Sequence, residues 1–166
     1  MMGQLLDAGN TTTLSHYLEL LHTAGLLAGI EKYSGNIIYK RSSSPKFQVH
    51  NTALISAQSN DSFAETQVKP NEWGRLVESS IGAHLINHSL TDGFSIYYWR
   101  DRNEEVDFVL EKKGKVIGLE VKSGGVQSRS GITAFKKEFD PYKILLVGNS
   151  GMPWQDFLRL NPGELF

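Results

Sequence analysis

The stretch EVDFVLEKKGKVIGLEVK, residues 105–122, decides the fold of this chain. Its two apolar runs are separated by charged residues and a Lys113-Gly114 pair, which is the pattern of two strands joined by a two-residue turn. A slip by one residue would set apolar side chains against charged ones, so the pattern favours a single register. That register places three apolar pairs on one face: Leu110 with Ile117, Phe108 with Leu119, and Val106 with Val121.

The other face of this hairpin is charged. The same register sets Asp107 opposite Glu120 and Glu105 opposite Lys122, with about 5 Å between directly opposed Cβ atoms. Two neighbouring carboxylates repel each other, and a divalent cation such as Mg²⁺, which prefers oxygen ligands, would offset that repulsion. The alternative is a surface ion pair between Glu105 and Lys122, with Asp107 and Glu120 solvated on an exposed face.

Composition sets broad limits on the class of protein. The chain has 166 residues, of which 40% are hydrophobic and 21% charged, the values of a globular domain or two small ones. It contains no cysteine, and its first residues lack the charged and apolar regions typical of a signal peptide, so we expect a cytoplasmic setting. No apolar run approaches the length needed to cross a membrane, so no membrane partner is expected. A net charge of −1 argues against strong non-specific binding to nucleic acids. The oligomeric state leaves no mark on the sequence.

Residues 1–56 have the pattern of a partial winged-helix unit. A helix is predicted over 11–24, followed by strands over 26–33, 37–40 and 46–50. The first helices of such a unit would precede residue 1, so we expect the chain to be a fragment of a longer protein. The predicted recognition helix carries neither Arg nor Lys, which favours packing or partner binding over the reading of DNA.

Residues 57–71 are polar and without periodicity, as in a linker loop, and a second domain is predicted over 72–166. Its first helix starts after Asn71, the predicted N-cap, and carries Glu78 at the border of its apolar stripe. Gly82 on the same side would let another backbone approach. Strands are predicted over residues 94–100 and 143–148, with a crossover helix between residues 126 and 142. This order predicts an α/β (α+β) fold of three layers around a mixed sheet.

Several motifs of this domain resemble a known superfamily. The order of Glu78 on a helix, Asp107 on the second strand and Glu120-Val121-Lys122 on the third resembles the PD-(D/E)XK nucleases. More narrowly, the motifs resemble a domain of unknown function at the C-terminal end of many predicted prokaryotic AAA+ ATPases. They are GRLVE (74–78), YWR (98–100), EVDFVL (105–110) and LEVKSG (119–124). The segments LLHTAGLL (20–27) and PKF (45–47) resemble the winged-helix part of those proteins.

This resemblance implies a restriction-endonuclease-like core and a metal-dependent nuclease site acting on DNA or RNA. Asp107 and Glu120 would bind Mg²⁺ or Mn²⁺ with help from the Val121 carbonyl, and Glu78 would join directly or through water. Lys122 would orient or help deprotonate the attacking water. An ATPase module upstream is also implied, and it would be a partner of this domain. ATP would bind only there, because these 166 residues contain no G-x-x-x-x-G-K-[ST] motif.

Two other interpretations stay open. In the first, the domain is a non-catalytic interaction or regulatory module of the ATPase. The near-neutral net charge and the uncharged-to-acidic predicted recognition helix favour this interpretation. His84 and His88, four residues apart on a helix, have a spacing that can bind zinc, although partial burial beside the apolar stripe is the expected role. A serine or cysteine hydrolase is not indicated, since G-x-S-x-G and cysteine are both absent.

Overall fold

The structure, a computed structural model, describes residues 11–35, 44–122, 130–149 and 151–166. Its helices are α1 (Thr11–Thr23), α2 (Ala53–Ser56), α3 (Phe63–Gln67), α4 (Pro70–Asp92), α5 (Ser130–Phe139) and α6 (Trp154–Phe157), with a 3-10 helix at Pro162–Leu165. Its strands are β1 (Leu27–Lys32), β2 (Lys46–Val49), β3 (Ser95–Asp101), β4 (Glu104–Lys112), β5 (Lys115–Lys122) and β6 (Lys143–Gly148). Within these ranges, no helix is long and apolar enough to cross a membrane.

The strands form one mixed sheet in the order β2-β1-β3-β4-β5-β6. β6 runs parallel to β5 after α5, as the crossover connection predicted. α4 packs with Phe108, Leu110 and Leu119 on one face, while α5 contributes Phe135 to a second cluster with Val109 on the other. The predicted three-layer α/β core with a mixed sheet is confirmed.

The β4–β5 hairpin has the predicted register. Lys112 pairs with Lys115, and the ladder continues through Leu110–Ile117 to Phe108–Leu119. The two turn residues, Lys113 and Gly114, have φ values of +50° and +79°. Positive φ at both central positions is typical of a type I′ turn, whose twist matches that of the flanking strands.

The first part of the chain joins the same sheet. β1 pairs antiparallel with β2 and parallel with β3, so the predicted winged-helix strands extend the central sheet. The predicted helix over 11–24 is found as α1. The strand predicted over residues 37–40 lies outside the described residues. The domain division at residues 56 and 72 stays a prediction.

The segment predicted to be a linker contains helix α3. Ser62 caps it in a reciprocal capping box, in which the Ser62 side chain accepts from the Glu65 N–H and the Glu65 carboxylate accepts from the Ser62 N–H. α4 also begins earlier than predicted: Pro70 occupies its first turn and Lys69 is the N-cap, instead of Asn71. Proline suits this position because its missing N–H is not needed there.

Candidate active site

The candidate site lies at the end of the β4–β5 hairpin farthest from its turn, where β4 contains a β-bulge. Tyr97 pairs with Val109 but Trp99 pairs with Val106, so two residues of β4, Asp107 and Phe108, oppose one residue of β3. A bulge changes which face the following side chains occupy. Val106 accordingly packs in the α5-side cluster, and the prediction that it shares a face with Phe108 is wrong.

The bulge also changes the predicted pairing of the two acids. Asp107 is not paired directly with Glu120 in the ladder; instead its Oδ2 accepts a hydrogen bond of 2.7 Å from the Val121 N–H. This amide belongs to the peptide unit that follows Glu120, so the Asp107 carboxylate lies beside the backbone of β5. Alternation along β5 places Glu120 on the face opposite to Leu119, which packs against α4. The direct pairing of the two acids that the sequence predicted is therefore not found in the ladder, and Asp107 contacts β5 through the Val121 amide.

The environment of Asp107 opposes its ionisation. Burial, Glu78 and Glu120 together raise the pKa of the Asp107 carboxyl from 3.8 to about 7, although the Val121 N–H and Lys46 act in the opposite direction. A carboxyl group with a pKa near neutrality surrounded by other acids is a common feature of functional sites. Glu78 and Glu120, the other two acids that the resemblance singled out, thus both act on the carboxyl group of Asp107.

Glu120 is buried, with only 7% of its surface exposed. Burial raises the pKa of its carboxyl group, and the ion pair with Lys122 opposes that rise. The ion-pair partner of Lys122 is thus Glu120, and the predicted role of Lys122 at the site stays a prediction. The Glu105–Lys122 surface pair of the alternative interpretation is not found: Glu105 pairs with Arg100 and lies 3.7 Å from Lys46.

Lys46 of β2 is a member of the site that the sequence did not reveal. Its Nζ donates a 2.7 Å hydrogen bond to Oε1 of Glu78 and lies 5.3 Å from the centre of the Phe108 ring. Burial acts to lower the pKa of Lys46, but Glu78, Asp107 and Glu105 outweigh burial and raise it. No local signal points to this lysine, because its partner Glu78 lies 32 residues away along the chain.

Gln48 holds β2 against α4 next to this ion pair. Its buried side-chain amide donates a 2.8 Å hydrogen bond to the Ser79 carbonyl. A Cβ added at Gly82 would lie 2.5 Å from the Gln48 Oε1 and 2.9 Å from the Phe108 ring. The prediction that Gly82 admits a neighbouring backbone is therefore wrong, because the groups that approach it are side chains.

The donor set fits magnesium in part. Among the described residues, no group of three or more His, Cys, Asp or Glu side chains is arranged to hold a metal ion. Oε2 of Glu120, however, is buried and has no hydrogen-bond partner. Mg²⁺ keeps several waters and takes one or two protein carboxylates together with substrate phosphate. An orphaned carboxylate oxygen beside a second acid suits such a partial site, which the substrate would complete.

The histidine pair of α4 has its own partners away from this site. The His84 Nε2 lies 3.1 Å from the Leu160 carbonyl oxygen, and the His88 Nδ1 lies 2.9 Å from Oδ2 of Asp92. Burial and the neighbouring His88 lower the pKa of His84. Both side chains are partly buried, as expected, and one ring nitrogen of each lies within hydrogen-bond distance of an oxygen of the fold.

Comparisons with known proteins give a family. Searches of the curated proteins and of the solved structures returned no match. The family described as Domain of unknown function (DUF4143) matches residues 73–160, the region that contains most of α4, the β3–β5 meander, α5 and β6. The matched region includes Glu78, Asp107, Glu120 and Lys122, and it covers more than half of the chain. This chain therefore belongs to the DUF4143 family.

Proposed function

We propose that this domain hydrolyses phosphodiester bonds of nucleic acid in a reaction that depends on Mg²⁺ or Mn²⁺. The observation that carries the proposal is the convergence of Glu78, Asp107 and Glu120 with Lys46 and Lys122 at one end of the hairpin. Burying several carboxylates together costs free energy, as the raised pKa values of Asp107 and Glu120 indicate. Such a cost is commonly retained where the charges have a chemical task.

Each side chain has a role in this proposal. Asp107 and Glu120 would bind the metal, with the Val121 carbonyl and Glu78 as further oxygen donors. A bound divalent ion would polarise a phosphoryl oxygen and lower the pKa of a coordinated water. Lys122 would orient that water, help to deprotonate it and stabilise the negative charge that develops on the phosphorus centre. Lys46 would hold Glu78 in place through their ion pair.

A cleavage assay tests the proposal. Labelled DNA and RNA strands are incubated with the protein and Mn²⁺ or Mg²⁺, and with EDTA as the metal-free control. Cleavage by the wild type should fall at least about 100-fold in Asp107→Asn and in Lys122→Met, because each removes a group that contacts the reacting centre. Glu138→Gln, an exposed change on α5, should cleave at the wild-type rate. Intact substrates under all metal conditions would reject nuclease activity.

A non-catalytic module is the second candidate, and one observation favours it. Glu78 is paired with Lys46 and Glu120 with Lys122, so lysines already compensate part of the acidic charge. In this case the acid cluster would serve binding or regulation. Calorimetry with Mn²⁺ separates the two: a binding isotherm that Asp107→Ala abolishes supports the metal site, whereas no heat of binding supports the interaction module.

We further propose that the domain works within a larger AAA+ ATPase in the cytoplasm. The support is the resemblance of residues 74–78, 98–100, 105–110 and 119–124 to the domain carried by such proteins, together with the lack of cysteine. In that setting ATP would bind in the ATPase module. Co-purification of this domain with a separately expressed ATPase module tests the association, and failure to co-purify would contradict direct docking.

A further inference from the structure

We propose that the cavity beside the acid cluster, lined by Lys32, Lys46, Arg100 and Arg102, binds phosphate groups of a nucleic-acid strand. The cavity has a volume of about 510 Å³ and lies between β1, β2 and the β3–β4 turn. Naming a nucleic-acid strand as the ligand rests on the proposed function. The cavity itself is an anion site by its own chemistry.

The charge of the lining is strongly one-sided. Four cationic side chains line the cavity, and Glu105 is the single acid among the lining residues that the structure describes. Lys46 is paired with Glu78, and Arg100 with Glu105. No acid in the described part of the chain forms an ion pair with Lys32 or Arg102. Although the net charge of the chain is −1, these two cations make the cavity locally positive. A bound anion would neutralise that charge.

These two residues lie at the end of a strand of the sheet and in a turn between two of its strands. Lys32 is the last residue of β1 and pairs with Tyr98 of β3. Arg102 lies in the tight turn between β3 and β4, with a φ of +52°. A guanidinium group recognises phosphate through two parallel hydrogen bonds, while a lysine acts as a point charge. An arginine and a lysine on adjacent elements therefore suit phosphate groups better than a single carboxylate ligand.

The cavity adjoins the candidate active site through shared residues. Lys46 and Glu105 line it, and Lys46 also belongs to the acid cluster: its Nζ lies 2.7 Å from Oε1 of Glu78 and 3.7 Å from Oε1 of Glu105. A phosphate held by Lys32 and Arg102 would thus lie next to the acids along one strand. We infer that the cavity positions the strand beside the bond to be cleaved, while the acids act on the neighbouring phosphate.

The test measures binding without chemistry. Fluorescence anisotropy follows a fluorescein-labelled thymidine oligonucleotide in EDTA, over a range of salt concentrations. Each phosphate contact to a single strand contributes about 0.7 to the slope of log K against log salt, so losing one contact weakens binding ~5-fold at 0.1 M salt. Lys32→Gln and Arg102→Gln should each show this loss and the smaller slope. Arg102→Lys should keep most of the slope, since it keeps the charge.

Lys137→Gln is the matched control, because Lys137 is an exposed lysine of α5 that does not line the cavity. It should bind as the wild type does. Equal losses in all three Gln variants would indicate diffuse attraction and overturn the proposal, as would undetectable binding by the wild type. Competition with inorganic phosphate distinguishes the source of the anion: displacement at equal phosphate concentration would show a small-anion site, not a strand site.

The outcomes also separate this inference from the proposed activity. Salt-dependent binding that Arg102→Gln weakens, without cleavage in Mg²⁺ or Mn²⁺, keeps the phosphate cavity and rejects the nuclease. Cleavage by the wild type with unchanged binding in both Gln variants keeps the nuclease and rejects the cavity. Thermal unfolding of each variant checks that the loss of binding does not come from loss of the fold.

Discussion

At the scale of single residues, burial and neighbouring charges both act on Asp107. Its carboxyl group accepts a hydrogen bond from the Val121 N–H, which favours the ionised form, but burial and two neighbouring acids outweigh that bond. The proton is therefore held more tightly in the folded protein than in the unfolded chain. Any reaction or binding event that needs the ionised Asp107 works against this preference.

The first prediction concerns how the stability of the fold depends on pH. Because the folded pKa of about 7 lies above the usual 3.8, the contribution of Asp107 is most favourable below pH 4 and is lost as the pH rises through 7. Asp107→Asn removes this dependence while keeping an oxygen that can accept from Val121. We therefore compare the unfolding free energy of Asp107→Asn with that of the wild type at each pH. The variant minus wild-type difference should be about 2 to 3 kcal/mol larger at pH 8 than at pH 5.

Urea denaturation at the two pH values measures this difference. Glu138→Gln, an exposed change on α5, is the control. A stability difference between Asp107→Asn and the wild type that is the same at both pH values would show that the folded protein does not hold this proton.

The second prediction concerns Lys46. Replacing it by Met leaves Glu78 without its 2.7 Å partner. It also removes a positive charge that offsets the repulsion between the neighbouring acids. We expect the free energy of unfolding to fall by about 1 to 3 kcal/mol. This is less than for a fully buried pair, because both side chains are partly exposed. Adding Glu78→Gln to Lys46→Met should recover part of the loss, which urea denaturation of the four proteins in the cycle measures. Arg159→Met, which breaks the exposed pair with Asp156, should cost less than about 1 kcal/mol.

At the scale of elements, the bulge in β4 marks the point at which the hairpin pairing predicted from the sequence stops being correct. Alternation of apolar residues was enough to predict the hairpin register from Lys112–Lys115 to Phe108–Leu119. It could not predict the bulge, because the extra residue is defined by the pairing of β4 with β3, and a bulge leaves no mark in an apolar run. The pairs beyond Phe108 were wrong for that reason.

Other misses have different causes. Lys46 contacts Glu78 across 32 residues of sequence, and only the folded sheet brings β2 to α4. The capping box of Ser62 and Glu65, in contrast, has an S-x-x-E spacing that predicts the start of a helix from the sequence alone. The short helix was missed because the residues around this motif are polar, as in a loop. Local sequence patterns can thus predict helix caps, but they cannot predict contacts between residues that are far apart in the sequence.

The third prediction tests how closely α5 packs on β4. A Cβ at Gly131 would lie 2.1 Å from the carbonyl oxygen of Glu105, and this neighbour is backbone, which cannot move without shifting a strand beside the site. Gly131→Ala should therefore lower the unfolding free energy by about 1 to 3 kcal/mol or more. Gly29→Ala is the matched control, since its new Cβ would meet the Pro45 ring at an ordinary 3.4 Å. Equal stabilities of the two variants in urea would contradict the close approach.

At the scale of the whole molecule, the sheet joins the predicted winged-helix strands to the DUF4143 region. β1 pairs with β3, and β2 supplies Lys46 and Gln48 to contacts with α4. The family match begins at residue 73, so the site includes a lysine from outside the matched region. Both the acid cluster and the neighbouring cavity depend on that continuity, because Lys46 belongs to each of them.

The last prediction is that β1 and the core strands open together. Since β1 is paired on both sides and Ile30 is only 2% exposed, its slowest amide should exchange hydrogen with an opening free energy within about 1 kcal/mol of the slowest amide in β5. Native-state hydrogen exchange at increasing denaturant measures both values. An opening of β1 that is several kcal/mol easier would instead mean that residues 1–56 unfold as a separate unit, as the predicted domain division implies. Gln48→Ala should shift the balance in that direction, because it removes the buried hydrogen bond between β2 and α4.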